Sequence, residues 1–211
     1  MDDCDTWVEY PKHRNFFNKL WVADNLNYFC GPSGFAPSRT VMSVIRPVYN
    51  LSGMGAGAEY KLIEKDDCTA VPLGYFWTEK FEGRHISATY KFYSGYTAIW
   101  KPLSAWEGFR RDGAPLYKFD RWCRIPLNEA PKVPRLFNDL FDVGIINVEF
   151  IGNKVIEVHL RNSPDPDYDE LIPVWDGENN KHNYSNEYKF IESLDDGDGF
   201  LPQGRLGFLV K

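Results

Sequence analysis

Glu157, His159 and Arg161 stand at alternate positions of one run, and Glu149 lies in the apolar run just before it. Alternate residues of an extended strand share a face, so the three side chains point the same way. The runs Ile145 to Phe150 and Val155 to Leu160 flank Gly152-Asn153, the pattern of a β-hairpin. Pairing of these strands lets Glu149 and Glu157 converge. Two carboxylates and a neutral imidazole suit a hard cation such as Mg²⁺. Arg161 would repel that ion unless an anion lay between them, a combination suited to phosphoryl chemistry. A solvated strand face with cross-strand charge pairs is the other reading.

Two further segments carry weaker signals. Gly53, Gly55 and Gly57 follow an apolar run and can present backbone N–H groups to phosphate oxygens. No Gly-Lys-Ser/Thr follows them and no helix clearly opens at their end, so neither a Walker A loop nor a dinucleotide fingerprint is present. An ordinary turn is equally compatible. Thr78-Glu79-Lys80-Phe81-Glu82-Gly83 ends a strand in charged and aromatic residues. It can offer backbone groups to a purine and a carboxylate to a ribose, or be a polar turn. No HxH or HExxH spacing supports a histidine zinc site, and His13 and His182 read as surface residues. Covalent hydrolase chemistry has no Gly-x-Ser-x-Gly elbow or cysteine context to rest on.

The elements that must position these residues follow from periodicity. Phe16, Phe17, Leu20, Ala23 and Leu26 predict an amphipathic helix over 15–29, stopping near Gly31-Pro32. Strands are expected at Thr40–Arg46, 70–77, His85–Tyr93 and 96–101. Pro47 to Gly57 reads as a loop, and Pro115 to Arg124 has no clear assignment. Leu136, Phe137 and Leu140 predict a helix over 133–141. After Arg161 the chain reads as polar and loop-rich, with a short strand at 208–210. Its acidic residues Asp165, Asp167, Asp169 and Glu170 are either a solvated loop or a site for a cationic substrate. The pattern is α+β with largely antiparallel strands.

Composition narrows the function classes. The 211 residues suffice for one core or two joined subdomains, and aromatics at 16% supply large packing and stacking surfaces. A net charge of −6 argues against a general nucleic-acid partner. No run reaches the roughly 18 apolar residues of a membrane span. The acidic N-terminus does not read as a signal peptide. Cys4, Cys30, Cys68 and Cys123 form no CxxC pair, which points away from cysteine-bound zinc and toward a reduced, cytoplasmic setting.

Taken in chain order, the strand before Pro47, the glycine loop, the Glu-x-Phe segment and the Glu-x-His-x-Arg hairpin resemble the ATP-grasp superfamily, from about Asn18 to Arg161. The resemblance implies a single domain over 1–211. Its first subdomain, 15–78, bears a glycine-rich lid, and its second, 79–211, bears the carboxylate hairpin. These two α+β subdomains enclose a nucleotide cleft. The cofactors implied are ATP and Mg²⁺. Lys19 is similar to the lysine that opens the first subdomain, and Arg46 stands where the family usually has a lysine before proline. Gly53, Gly55 and Gly57 match the lid. Glu79, Lys80 and Phe81 match the hinge that reads adenine, with Glu82 on ribose. Glu149 and Glu157 match the acidic metal ligands, His159 replaces a metal-binding asparagine, and Arg161 matches a catalytic arginine facing an acyl-phosphate. Arginine for lysine changes a point charge into a planar fork.

The activity implied is ATP-dependent ligation of a carboxylate to an amine through an acyl-phosphate. Small-molecule or peptide carboxylates and amines would be the substrates. A partner could supply the substrate domain that full ligases carry. The departures at Arg46 and His159 leave two alternatives: an inactive nucleotide- or peptide-binding module, or a structural interaction protein.

Overall fold

The computed structural model describes residues 2–51, 55, 57–95, 99–177, 187–192 and 204–211. Two antiparallel sheets dominate it. The smaller contains β1 (Cys30–Pro32), β2 (Val41–Pro47), β3 (Glu59–Ile63) and β4 (Tyr75–Glu79), in the order β1-β4-β2-β3. The larger contains β5 (His85–Tyr93), β6 (Ile99–Phe109), β7 (Arg121–Arg124), β8 (Ile145–Ile151), β9 (Lys154–His159), β10 (Glu170–Trp175), β11 (Lys189–Glu192) and β12 (Arg205–Val210). Its order is β11-β12-β10-β7-β6-β5-β8-β9. Helix is scarce among the described residues: α1 (Asp3–Glu9) and α2 (Lys19–Asn25) have 7 residues each, joined by short 3-10 turns. The antiparallel expectation holds, and the helical share of an α+β fold is small.

The large sheet separates two chemistries by strand alternation. One face carries Ile86, Ala88 and Tyr90 of β5 with Ile146, Val148 and Phe150 of β8, all buried in the main core. The opposite face carries His85, Ser87 and Thr89 opposite Asn147 and Glu149. Phe16, Phe17, Val22, Phe137 and Leu140 close the apolar side. The small sheet packs its own cluster around Ile45, Ile63 and Trp77.

Several expectations change. The helix expected over 15–29 is broken: Pro11–Phe17 is a 3-10 segment, and α2 begins after Asn18. The Asn18 side chain accepts from the Trp21 N–H at 2.8 Å, so a good capping residue starts a new helix inside the apolar pattern. The helix expected over 133–141 is a 3-10 turn at Arg135–Leu140, following Pro134. A spacing of three residues serves a 3-10 turn as well as an α-helix. His13 is buried, with its Nε2 2.8 Å from Asp142, so it is not a surface residue; His182 lies outside the described residues.

Among its described residues, the region after Arg161 contains three strands, two more than expected. Pro173 sits within β10, although proline suits poorly the interior of a sheet. Here β7 pairs β10 only at Glu170 and Leu171, so at Pro173 the β7 side of the ladder has ended. The acidic loop meets arginines: Arg124 pairs with Asp167 and Asp169, and Arg205 with Asp165. All four cysteines are unpaired. Among the described residues no helix is long and apolar enough to cross a membrane.

Candidate ligand cleft

The polar face of the large sheet is only partly open to solvent. The small sheet and the segment after β4 lean over it and enclose a cleft of about 940 Å³. That is near the upper end of the roughly 300–1,000 Å³ of small-molecule sites. Two close approaches fix the angle. Gly83, at φ 126°, packs against Gly152 in the hairpin turn, where a Cβ on Gly83 would lie 2.9 Å from the Gly152 Cα. The Tyr28 hydroxyl accepts from the Val155 N–H at 2.9 Å.

At the β9 end, charges from both halves meet. Glu149 and Glu157 are register partners on β8 and β9. A bulge beside them leaves Ile156 out of the ladder, and its carbonyl accepts from Arg46 Nη1 at 2.7 Å. Arg46 Nε is buried and has no hydrogen-bond partner among the described residues. Burial lowers the Arg46 pKa, opposed by the nearby carboxylates Glu157 and Glu149. Lys19 opens α2, where a cation opposes the helix dipole, yet it is buried with its Nζ 2.8 Å from Glu157. Its position is therefore explained by Glu157 rather than by helix propensity. Glu149 accepts from His85 Nε2 at 3.0 Å. Burial pushes the Glu149 carboxyl up, but His85, followed by His159 and Lys19, outweighs it and holds it well below the usual range.

Behind this end lies a cluster the sequence did not reveal. Asp3, 2% exposed, contacts His159 Nδ1 at 2.6 Å and accepts from Arg161 Nε at 2.8 Å and Nη2 at 3.1 Å. Burial would raise the Asp3 carboxyl, yet His159 and Arg161 bring it below its ordinary value. Burial would likewise lower His159, yet Asp3 and then Glu157 raise it. The Arg161 fork is thus engaged from within the chain.

The residues singled out in the sequence separate into groups. Lys19, Arg46, Gly55, Lys80, Phe81 and Glu82 line the cleft, as do Glu149, Glu157, His159 and Arg161. Glu79 does not; its side chain pairs with Arg39 at 3.2 Å. Alternation on β4 accounts for this, because Thr78 takes the cleft side. Phe81 is buried edge-on against Tyr28, so its ring is partly occupied in packing. Gly57 is outside the lining, and Gly53 lies outside the described residues. Glu149, Glu157 and His159 do not form a three-ligand cluster: among the described residues no three His, Cys, Asp or Glu side chains are grouped to hold an ion. Glu149 is drawn to His85 and Glu157 to Lys19. One oxygen of each carboxylate remains unengaged among the described residues, and a pair of carboxylates beside phosphate oxygens is a usual Mg²⁺ environment. The residues therefore fit an ion shared with a phosphate ligand.

The other end of the cleft is aromatic. His85 stacks edge-on against Phe119 and Trp122, with centroids at 4.8 and 5.4 Å. Phe119 and Trp122 lie 4.4 Å apart over Gly108, where a Cβ would approach them to 2.7 and 2.8 Å. Tyr117 packs against Trp175. Gly55 reaches across to Tyr117, its Cβ position 3.8 Å from the tyrosine Cα and Cβ. His85, Phe119, Trp122 and Trp175 were not singled out as site residues, since aromatic residues scattered over three segments carry no spacing signal.

Comparison with known proteins adds little. No family model matches the chain, and no curated protein matches it. Among solved structures, a protein from Archaeoglobus fulgidus provisionally placed in the ATP-grasp superfamily is similar at 15% identity and a TM-score of 0.39. The match covers 71% of this chain and 47% of that one, so the chain spans about half the length of the structure it matches. A likeness at that score carries no argument.

Proposed function

We propose that the chain is an ATP-grasp-like protein that binds a nucleoside triphosphate with Mg²⁺ in the cleft and uses it to join a carboxylate to an amine. The observation that carries this is the meeting of Lys19 and Arg46, from the small-sheet half, with Glu149 and Glu157 of the hairpin. Lys19 and Arg46 would offset phosphate charge, and the unpartnered Arg46 Nε has a donor to give. Lys80, Phe81 and Glu82 would take the base and ribose. Glu149 and Glu157 would hold Mg²⁺, which supplies charge neutralisation at the phosphates. The carboxylate substrate is already ionised at neutral pH, so its attack on the terminal phosphate needs no protein base. A partner supplying a substrate-binding surface remains part of this proposal.

Calorimetry with Mg-ATP tests the binding step. Micromolar affinity that requires Mg²⁺, and that Arg46→Met weakens at least about tenfold, is the expected result. No heat at millimolar nucleotide would overturn it.

A second reading is a binding module without turnover. It is favoured by one observation: the Arg161 fork is held by Asp3 and Glu157 by Lys19, so two groups needed for chemistry are engaged within the chain. Release of ADP in the presence of a panel of carboxylates and amines separates the two readings.

A further inference from the structure

The aromatic end of the cleft contains a cation with no counter-charge among the described residues. Among the arginines of this end, Arg84 meets Glu107 and Glu129, Arg111 meets Asp120, and Arg205 meets Asp165. Arg110 meets no carboxylate among the described residues. Its Nη1 donates to the Leu116 carbonyl at 3.0 Å and its Nη2 to the Tyr60 hydroxyl at 3.2 Å, both neutral. Its guanidinium also lies 6.0 Å from the ring centroids of both Tyr60 and Phe119. These contacts hold the fork in place without neutralising it, in a chain whose net charge is −6. An oriented, uncompensated guanidinium in a cleft favours a carboxylate or phosphate.

Two independent features sit on the same end. Phe119 and Trp122 are half-buried in the cleft wall, leaving part of their apolar surface for another group to cover. Trp175 is 3% exposed, and its indole N–H is buried without an acceptor among the described residues. A buried donor left unpaired is costly, and a ligand oxygen would satisfy it after a small movement of the ring. An anion, a flat apolar group and an acceptor oxygen together describe an N-acylated aromatic amino acid or the C-terminal residue of a peptide.

We infer that the β6–β7 end of the cleft is a second ligand subsite for an aromatic carboxylate, with Arg110 receiving the carboxylate and Phe119 and Trp122 covering the ring. It does not depend on the nucleotide reading, although it would place a substrate beside the proposed nucleotide.

The probe is N-acetyl-L-phenylalanine, titrated into ¹⁵N-labelled protein and followed by calorimetry and by the indole N–H resonances. The resonance missing from Trp175→Phe belongs to Trp175. The expected result is a probe-dependent shift of that resonance and an affinity that Arg110→Met weakens about tenfold. Arg110→Lys keeps the charge and retains most of the binding. N-acetyl-L-phenylalaninamide, without the charge, and N-acetyl-L-alanine, without the ring, each bind roughly tenfold less tightly than the probe. Trp175→Phe weakens the probe roughly three- to tenfold. Equal binding of acid and amide, or an Arg110→Met protein with a native melting curve and unchanged affinity, overturns the inference. So does the absence of binding at 10 mM probe. Displacement of the probe by Mg-ADP would assign this end to the nucleotide, overturning the second subsite and leaving the nucleotide reading intact. Arg110-dependent probe binding in a protein that takes no Mg-nucleotide would do the reverse.

Discussion

The two ends of the cleft handle buried polarity in opposite ways. At the β9 end most charges are paired: Lys19 with Glu157, His85 with Glu149, and Asp3 with both His159 and Arg161, while Arg46 donates to the Ile156 carbonyl. At the β6–β7 end rings line the wall beside ion pairs of Arg84, Arg111 and Arg205, and Arg110 and the Trp175 indole lack a carboxylate or acceptor among the described residues. His85 joins them, with one face on the rings and Nε2 on Glu149. A closed set of ion pairs resists loss of any member, because removing one leaves the others buried and unpaired. An aromatic wall tolerates loss of a polar atom and resists changes of volume. The difference teaches where stability and ligand capacity are separable in this molecule.

The largest test of that contrast is Asp3→Ala. It leaves His159 and Arg161 uncompensated and is expected to cost about 3–5 kcal/mol in urea denaturation. A loss below 1 kcal/mol would break the comparison. The same cluster sets a pH dependence. Asp3 titrates lower folded than unfolded, so its contribution is present above its ordinary value of 3.8 and is lost as pH falls through the folded value. His159 titrates higher folded than unfolded, so its contribution is full below 6.5 and is lost as pH rises through the folded value. Melting temperature against pH should fall on both sides, and Asp3→Asn should flatten both limbs.

Gly108→Ala probes the aromatic end by volume. A Cβ at 2.7 Å from Phe119 must displace the ring stack, with an expected cost of about 1–3 kcal/mol and altered tryptophan fluorescence. The smallest effect is Trp175→Phe. It removes a donor without a partner among the described residues but also shrinks a buried ring, so a cost of about 1–2 kcal/mol is expected. A cost above 3 kcal/mol would show that the indole N–H has a structural partner and that this end resembles the other.

The hairpin was the legible part of the molecule. Ile145 to Leu160 alternates over two strands around Gly-Asn, so its boundaries and the shared face of Glu149 and Glu157 followed from local pattern. Its partners did not. Lys19 was singled out, but its pairing with Glu157 crosses from the opening of α2 to β9. Asp3 and His85 belong to segments that carry no motif at all. Strand β3 was also missed: four of its five residues are exposed at a sheet edge, so no apolar alternation marks it. Local periodicity reports which face a residue takes; it does not report what arrives opposite.

Asp3 also bears on how the chain folds. Its contacts with His159 and Arg161 span 156 and 158 residues. Helix α1 has one turn of capping from Asp2 and few apolar residues, too little to persist alone at 7 residues. Its docking against β9 therefore closes one of the longest loops in the chain. Contacts of such separation slow folding. The Asp3 cluster cannot form during synthesis until Arg161 has emerged.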